Sequence, residues 1–511
     1  MGRLEPCDSS NETTAIPCNL RSVGMISKTK RHGQFFTPPD VAATLVRWAT
    51  GNEDDRILDP SCGDGAFIMA HANAVGCEID PEHAAAARRH APAALVHGGD
   101  FFLWADETNE RFSAIVGNPP FIRYQGFNGD LRERALRQAA RFGADLPALT
   151  SSWAPFVAAS ALLLHPGGRL AFVVPAEIGH ASYAVPLIES LCAAFQEVVI
   201  VAVREKIFPT LSEDAWILYA DGYGGSTDGV RLVAVDRFET ASSVPKGGQH
   251  VPLNALRNVR GRLRRWLLPK NALAVYEQLE ESPHSRRFGS VAQVSIGYVS
   301  GANNFFHLRS SEARRAGIDE RFLMPAVRRG GSLPSSATLT PNQVQRWITD
   351  DEPVLLLRLD RDQQRLPIAV RRYLDTAAGF EAREAYKCRV RDPWWSVPDV
   401  SIPDGFLAYM SGETPALVRN GAQCTATNSV HVVKMRPGTT FRTVQTAFDS
   451  ALTRLSCEIE GHPLGGGMLK VEPREAQRLL LPAPVMHADI EAVASELEYG
   501  ITVMRKWRGY V

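Results

Sequence analysis

Seven short apolar runs recur through the first half of the chain, each stopped by glycine, proline or a polar group: RILDP, AVGCEID, AALVHGGD, FSAIVGNPP, GRLAFVVP, EVVIVAV and AWILYA. Apolar runs of this length, with little polar alternation, belong to strands buried on both faces, the condition of a parallel sheet covered by helices. The segments between them supply those helices, with AFIMAHANA following the first run and PEHAAAARRH the second. Alternation at this spacing predicts an α/β fold, a doubly wound, Rossmann-like and parallel-rich sheet that runs to about residue 240. DGYGGSTDG is a turn inside the last strands, and ASSVPKGGQHVP reads as a linker.

Beyond this point the βα repeat stops. The sequence divides into a patterned domain over 26–245, a basic linker over 246–270, and a second domain of mixed α/β character over 271–511, richer in Trp, Pro and Arg. Residues 1–25 are polar and unpatterned and are expected to be disordered. Met25 is a candidate true start, because MISKTKRHGQFFTP leads directly into patterned sequence.

Of the 511 residues, 45% are hydrophobic and 22% charged, enough apolar material for real cores. No uninterrupted apolar run has the length of a membrane span and no signal-peptide layout is seen, so an intracellular protein without a membrane partner is expected. The eight cysteines are scattered with no CxxC, which argues against a disulfide framework and a structural metal. The 56 basic and 56 acidic side chains balance, so any nucleic-acid signal must be local. Asn254–Lys270 carries six basic residues and no acid, and RRYLDTAAGFEAREAYKCRVRDPWW interleaves basic residues with Tyr373, Tyr386, Trp394 and Trp395. Such stretches suit phosphates and stacked or wedged bases, and equally suit a solvated helix face.

The chemistry concentrates where strands end. In DPSCGDGAF, Asp59–Phe67, the loop glycines Gly63 and Gly65 permit a tight turn and close backbone approach to a ligand. Glu78 closes the next strand, where an acid can accept the two hydroxyls of a ribose; its competing role is to cap the helix that starts at Pro81. Asp100 closes the third strand and can accept from the exocyclic amine of an adenine ring. No Walker lysine follows the loop and GxGxxG is absent, which points to a nucleoside cofactor lacking phosphate, S-adenosyl-L-methionine. In AIVGNPPFIRY, Pro119 and Pro120 remove two backbone donors and fix φ, so the chain can neither continue as a central strand nor enter a helix interior. A rigid segment results, which presents the Asn118 amide, the Pro119 carbonyl and the Phe121 ring together.

In order, GQFFTPPDVA, DPSCGDGAF, GCEID, GGDFF and GNPPF resemble the N-terminal halves of gamma-class N6-adenine DNA methyltransferases of restriction-modification systems. LLLHPGGRLAFVVP resembles later strands of that family, and SIGYVSGANNFFHL, RVRDPWWSVP, CTATNSVHVV and GGGMLKVEP resemble its target-recognition segments, so the likeness covers residues 31–480. The resemblance implies that Thr37 is the N-cap of an anion-friendly helix start in the cofactor-carboxylate motif. Asp59 would lie near the cofactor's ammonium with Pro60, Cys62, Gly63 and Gly65 lining the site. Glu78 would hold the ribose, with Ile79 also in the cofactor site, Asp100 would meet the adenine amine, and Phe101 would pack on the adenine. Phe208, in KIFPT, resembles the residue that packs on the far face of the target base, against a plain core role. Two departures stand out: Phe121 replaces the family's frequent Tyr, and Asp64 sits where Thr or a small residue is common.

The implied reaction explains the rigid prolines. An adenine N6 amine is a poor nucleophile, and accepting both its protons, at Asn118 Oδ1 and the Pro119 carbonyl, localises its lone pair in line with the sulfonium methyl. Phe121 would stack on the base, which must leave the duplex to reach these groups. Double-stranded DNA is the expected partner, with a separate cognate restriction endonuclease, in a bacterial-type cytoplasm. Gly301, Asn303, Asn304, Arg389, Arg391, Trp394, Trp395, Asn428 and His431 are the candidate DNA contacts. An RNA adenine methyltransferase, a protein glutamine methyltransferase, N4-cytosine activity and a non-catalytic DNA-binding subunit remain alternatives. No PD…(D/E)xK arrangement is visible, so modification without cleavage is expected.

Overall fold

The computed structural model describes residues 37–208, 214–362 and 365–510. The stretch 1–25, expected to be disordered, lies outside them, as do Met25 and the GQFF of the first motif. Two compact units are present. One takes in residues up to Arg257 except 178–182 and 204–214; those two segments and everything from Asn258 form the other.

Among the described residues, the first unit is built on a nine-stranded sheet. Its strands are β1 (Ile57–Asp59), β2 (Ala74–Glu78), β3 (Leu95–Gly98), β4 (Phe112–Gly117), β5 (Leu164–Pro175), β6 (Phe195–Val203), β7 (Ala215–Tyr223), β8 (Gly229–Val235) and β9 (Gln249–Pro252), in the order 3-2-1-4-5-7-6-8-9. From β3 through β5 neighbours are parallel; β7 is antiparallel to β5 and β6, β8 parallel to β6, and β9 antiparallel to β8. Helices α1 (Pro39–Ala49), α2 (Pro81–His90), α3 (Phe101–Glu107), α4 (Gly129–Arg141), α5 (Trp153–Ala161) and α6 (Ala184–Ala194) connect and cover the strands. Leu58, Val75, Ile115, Val116, Phe172 and Val173 are buried, as strands covered on both sides require. The chain winds outward from β1 to β3 and then returns to β4 beside β1. This switch point, where connections leave in opposite directions, opens a crevice at the strand ends.

Two expectations change. AFIMAHANA does not make a helix: β2 already starts at Ala74, paired in parallel register with Ile57, and the short connection left after the glycine loop holds one 3-10 turn, Ile68–Ala70. Nor is 246–270 an exposed basic linker. Gln249–Pro252 is an edge strand of the sheet, Leu253–Asn258 a short helix and Leu263–Leu267 a 3-10 turn. Arg262, Arg264 and Arg265 are buried, with Arg262 paired to Glu460 and Glu475 and Arg265 to Glu277 and Glu280. Arg262 and Arg265 thus serve internal carboxylates instead of phosphates.

The second unit has the mixed α/β character expected. A five-stranded sheet runs Ala292–Ile296, Val430–Met435, Gly405–Ala408, Leu417–Asn420 and Thr338–Leu339, antiparallel except for its last pair. A four-stranded sheet contains His307–Leu308, Leu355–Leu357, Leu323–Val327 and Thr425–Ala426. Helices Lys270–Glu281, Ala451–Glu460 and Ala494–Trp507 pack together, and Arg508, just past the last of them, forks onto buried Glu458 at 2.8 and 2.7 Å.

Candidate active site at the switch point of the first unit

β1 delivers Asp59 into the crevice almost fully buried, with Oδ1 accepting the Ser61 N–H at 3.0 Å. Burial pushes its carboxyl up to about 8, opposed by that hydrogen bond and reinforced by the negative charge of Glu78. A buried acid of this kind calls for a cation beside it. The loop after β1 turns at Gly63, φ 55°, in the left-handed region, and hugs β2 through a Cys62 N–H to Cys77 carbonyl bond of 2.9 Å. Pro60, Cys62 and Gly65 are buried beneath it.

Glu78, at the end of β2, is also buried. Its Oε2 accepts the Gly63 N–H at 2.9 Å and its Oε1 the Asp80 N–H at 2.8 Å. A carboxylate has about four acceptor positions, so further donors can still be taken. The capping role open to Glu78 belongs to Asp80, whose carboxylate accepts from the Glu82 and His83 N–H groups of α2. Ile79, next along, is 58% exposed, an apolar surface beside the acid. Gly99 donates to the Glu78 carbonyl at 2.9 Å, and a Cβ built on it would meet open space.

Asp100 follows. Its Oδ1 caps α3 through the Phe102 N–H at 2.9 Å, and its Oδ2 pairs with Arg134 of α4 at 3.1 Å. The Phe101 ring is buried and stacked on Phe156 at 5.4 Å with 13° between planes, so the apolar surface on offer near Asp100 comes from Ile79 more than from this ring.

The Asn118–Phe121 segment leaves β4 beside β1. Asn118 Nδ2 donates to Thr37 Oγ1 at 3.2 Å, which sets Oδ1 on the opposite edge of the amide. Thr37 is therefore not the helix N-cap expected: Pro38 holds that position, prolines follow into α1, and no side chain caps it. The Ser61 hydroxyl donates to the Asn118 carbonyl at 3.4 Å, and the Ser152 hydroxyl donates to the Pro120 carbonyl in a short bond. Ser152 also accepts the Ile122 N–H at 3.0 Å and returns its own N–H to the Ile122 carbonyl at 2.9 Å. Between these two held carbonyls lies that of Pro119. Phe121 is partly exposed.

Thr37, Asp59, the glycine loop, Glu78, Ile79, Asp100 and the Asn118–Phe121 segment thus share one crevice of the first unit. Phe208 does not belong to this unit; it is buried in the 204–214 segment of the second. Sequence reading missed Ser152 and Arg134, which lie far along the chain from the atoms they hold. Ser61 was within reach of it, as the small hydroxyl next to Asp59-Pro60.

The donor set fits a cationic nucleoside. Buried Asp59 suits a positive group, Glu78 can take hydroxyls, and Asp100 with Ile79 and open Gly99 suits an aminopurine. Among the described residues no group of three or more His, Cys, Asp and Glu could hold a metal ion, and no helix is long and apolar enough to cross a membrane.

In the second unit the candidate DNA contacts separate. His431 is fully buried and bonded to the Val471 carbonyl at 2.8 Å, with its imidazole held below its usual pKa by burial. Arg391 forks onto the Ser300 and Val299 carbonyls, and Trp394 packs against Phe305 and Phe306. These three hold the fold. Arg389 and Asn428 are exposed, and Asn303 and Asn304 line a cavity of about 760 Å³ with Tyr373 and Arg315, beside the turn at Gly301, φ 85°.

Comparison with known proteins agrees with this division. Residues 25–212 match the N-6 DNA methylase family, and residues 261–502 match the C-terminal domain of the type II methyltransferase M.Eco57I. The chain is 25% identical over 477 residues to the type II methyltransferase M.XamI of Xanthomonas campestris pv. amaranthicola, covering 89% of this chain and 86% of that one. It is 21% identical over 478 residues to M.AccI of Acinetobacter calcoaceticus, covering 88% and 85%. Among solved structures, the type IIG restriction endonuclease BpuSI aligns over 94% of this chain and 66% of its own with a TM-score of 0.44 and 14% identity. With the glycine loop, the strand-end acids and the NPPF segment in one crevice, the chain belongs to the N6-adenine DNA methyltransferase family, its N-6 DNA methylase part followed by a C-terminal domain of the M.Eco57I kind.

Proposed function

We propose that the Asn118–Phe121 segment is where this enzyme methylates the N6 amine of an adenine turned out of double-stranded DNA, with S-adenosyl-L-methionine held by Asp59, Glu78 and Asp100. The observation that carries this reading is the bracing of the segment. Thr37 holds the Asn118 amide, while Ser61 and Ser152 hold the Asn118 and Pro120 carbonyls, so the two intended acceptors are fixed before a base arrives.

When bound, S-adenosyl-L-methionine supplies an electrophilic methyl on a sulfonium. The chain's own groups do the rest. Asn118 Oδ1 and the Pro119 carbonyl accept hydrogen bonds from the two amine N–H groups and direct the nitrogen lone pair, and Phe121 stacks on the ring, worth about 1–3 kcal/mol. Asp59 faces the cofactor's cationic end, Glu78 takes ribose hydroxyls, and Asp100 takes the purine amine. The second unit reads the target through groups such as Asn304, Arg389 and Asn428, and a separate endonuclease that cuts the unmodified site is the companion this activity calls for.

The test is methylation-sensitive long-read sequencing of plasmid from cells expressing the protein, beside Asn118→Ala. A discrete motif carrying N6-methyladenine is expected with the intact protein, and a loss of at least about a hundredfold in the variant. No modified base, with cofactor binding intact, would redirect the reading to RNA or a protein amide.

A further inference from the structure

Asp100 is held at both oxygens, and the second hold is not local. Oδ1 is used by its own helix start through Phe102 N–H at 2.9 Å. Oδ2 receives both Nε and Nη2 of Arg134, each at 3.1 Å, from α4, more than thirty positions further along the chain. Both side chains are largely withdrawn from water, at 28% and 13% exposure, where such a pair keeps its geometry. The rest of the α3–α4 contact does not touch Asp100: Gln138 Nε2 and Arg141 Nη1 both go to Asp106 Oδ1, at 2.5 and 2.9 Å. The helices are therefore tied together without Arg134, and its fork has Asp100 as its own target.

Resting on the cofactor assignment above, we infer that Arg134 is the positioning residue that makes this site specific for a 6-aminopurine nucleoside over a 6-oxopurine one. A carboxylate pinned at one oxygen swings about χ2 and can turn away from an unfavourable carbonyl. Pinned at both, its remaining lone pairs keep one direction, while next to it in the chain Gly99 opens on unfilled space and Ile79 is exposed. A 6-amino group there donates to it. A 6-oxo group meets a fixed acceptor with an acceptor, and the site cannot relax. α4 also begins just after the Asn118–Phe121 segment, so the same helix sets the cofactor's base and follows the loop for the target base.

The experiment is calorimetric binding of S-adenosylhomocysteine and S-inosylhomocysteine to the full chain, its Arg134→Met and Arg134→Lys variants, and Arg141→Met as a control for the helix contact alone. The wild type should prefer the amino form. Arg134→Met should weaken S-adenosylhomocysteine about tenfold, the worth of one charge-assisted bond, while changing S-inosylhomocysteine less than about twofold. Arg134→Lys should restore part of the preference, and Arg141→Met should leave both affinities unchanged. If the wild type discriminates and Arg134→Met keeps the discrimination, or if Arg134→Met and Arg141→Met weaken both ligands alike, the inference is overturned while the cofactor assignment stands. A wild type that binds neither analogue, or both equally, overturns the assignment of Asp100 itself and the inference with it.

Discussion

Asp59 carries a sharp electrostatic demand. Its carboxyl, raised from 3.8 to about 8 by burial, keeps a proton in the folded protein that the unfolded chain has lost. The sign follows from linkage: its contribution to stability is complete below the unfolded value and disappears as pH rises through the folded one. The melting temperature of the cofactor-free protein should therefore fall between about pH 4 and pH 8, and Asp59→Asn should flatten that slope. A cationic ligand favours the ionised form, so S-adenosylmethionine should bind more tightly toward pH 8 and release a proton. Calorimetry in buffers of different ionisation heat would detect that proton, and equal heats in all of them would refute the pairing. Gly117 makes a related point. A Cβ there would stand 2.8 Å from Asp59 Oδ1, so the residue preceding Asn118 has to be glycine for the acid to occupy its place.

At the level of elements, the Asn118–Phe121 segment is a loop made rigid by its neighbours. Prolines remove donors, and Ser152, in the turn that starts α5, ties down both sides of the bend with a hydroxyl and an N–H. Ser152→Ala should cost about 1–3 kcal/mol of stability, the price of unpaired buried groups. It should lower kcat about tenfold or more while cofactor affinity holds, because acceptor geometry alone is loosened. Single-turnover methylation and equilibrium binding separate the two, and a parallel loss of cofactor affinity would make Ser152 a general packing residue. Much of this crevice was legible in sequence: Glu78, the glycine loop and the NPPF run fall at strand ends, where period and punctuation place them. Ser152 and Arg134 were not, since each acts on a group about thirty positions away and carries no mark of its own in the sequence.

For the whole molecule, the basic stretch after the sheet is the feature whose meaning reverses. Six cations without an acid suggest a solvated linker, yet Arg262 lies between Glu460 and Glu475 with all three side chains nearly buried. Arg262→Met would leave Glu460 and Glu475 to Arg478 alone among the arginines and should cost about 1–3 kcal/mol in urea unfolding. Limited trypsin digestion of the native protein should likewise spare Arg262, Arg264 and Arg265 and cut at the exposed Arg257 or Arg260; early cleavage at the buried three would contradict the packing. Incubated with Mg²⁺ and cofactor, DNA should come back modified and unbroken.

The sequence by itself determined the α/β sheet of the first unit, the order of its motifs and the residue types at its strand ends, because these depend on local period, turn chemistry and covalent constraint. It also gave the family likeness that the comparisons now support. Tertiary structure decided which polar group meets which. It placed Thr37 on the Asn118 amide instead of on a helix end, gave the α2 cap to Asp80 and so left Glu78 to the crevice, and buried the arginines of the supposed linker. It also withdrew His431, Arg391 and Trp394 from the list of readers. A charge or hydroxyl carries no record in sequence of its partner, since the energy that selects the partner arises only when distant segments pack together and exclude water.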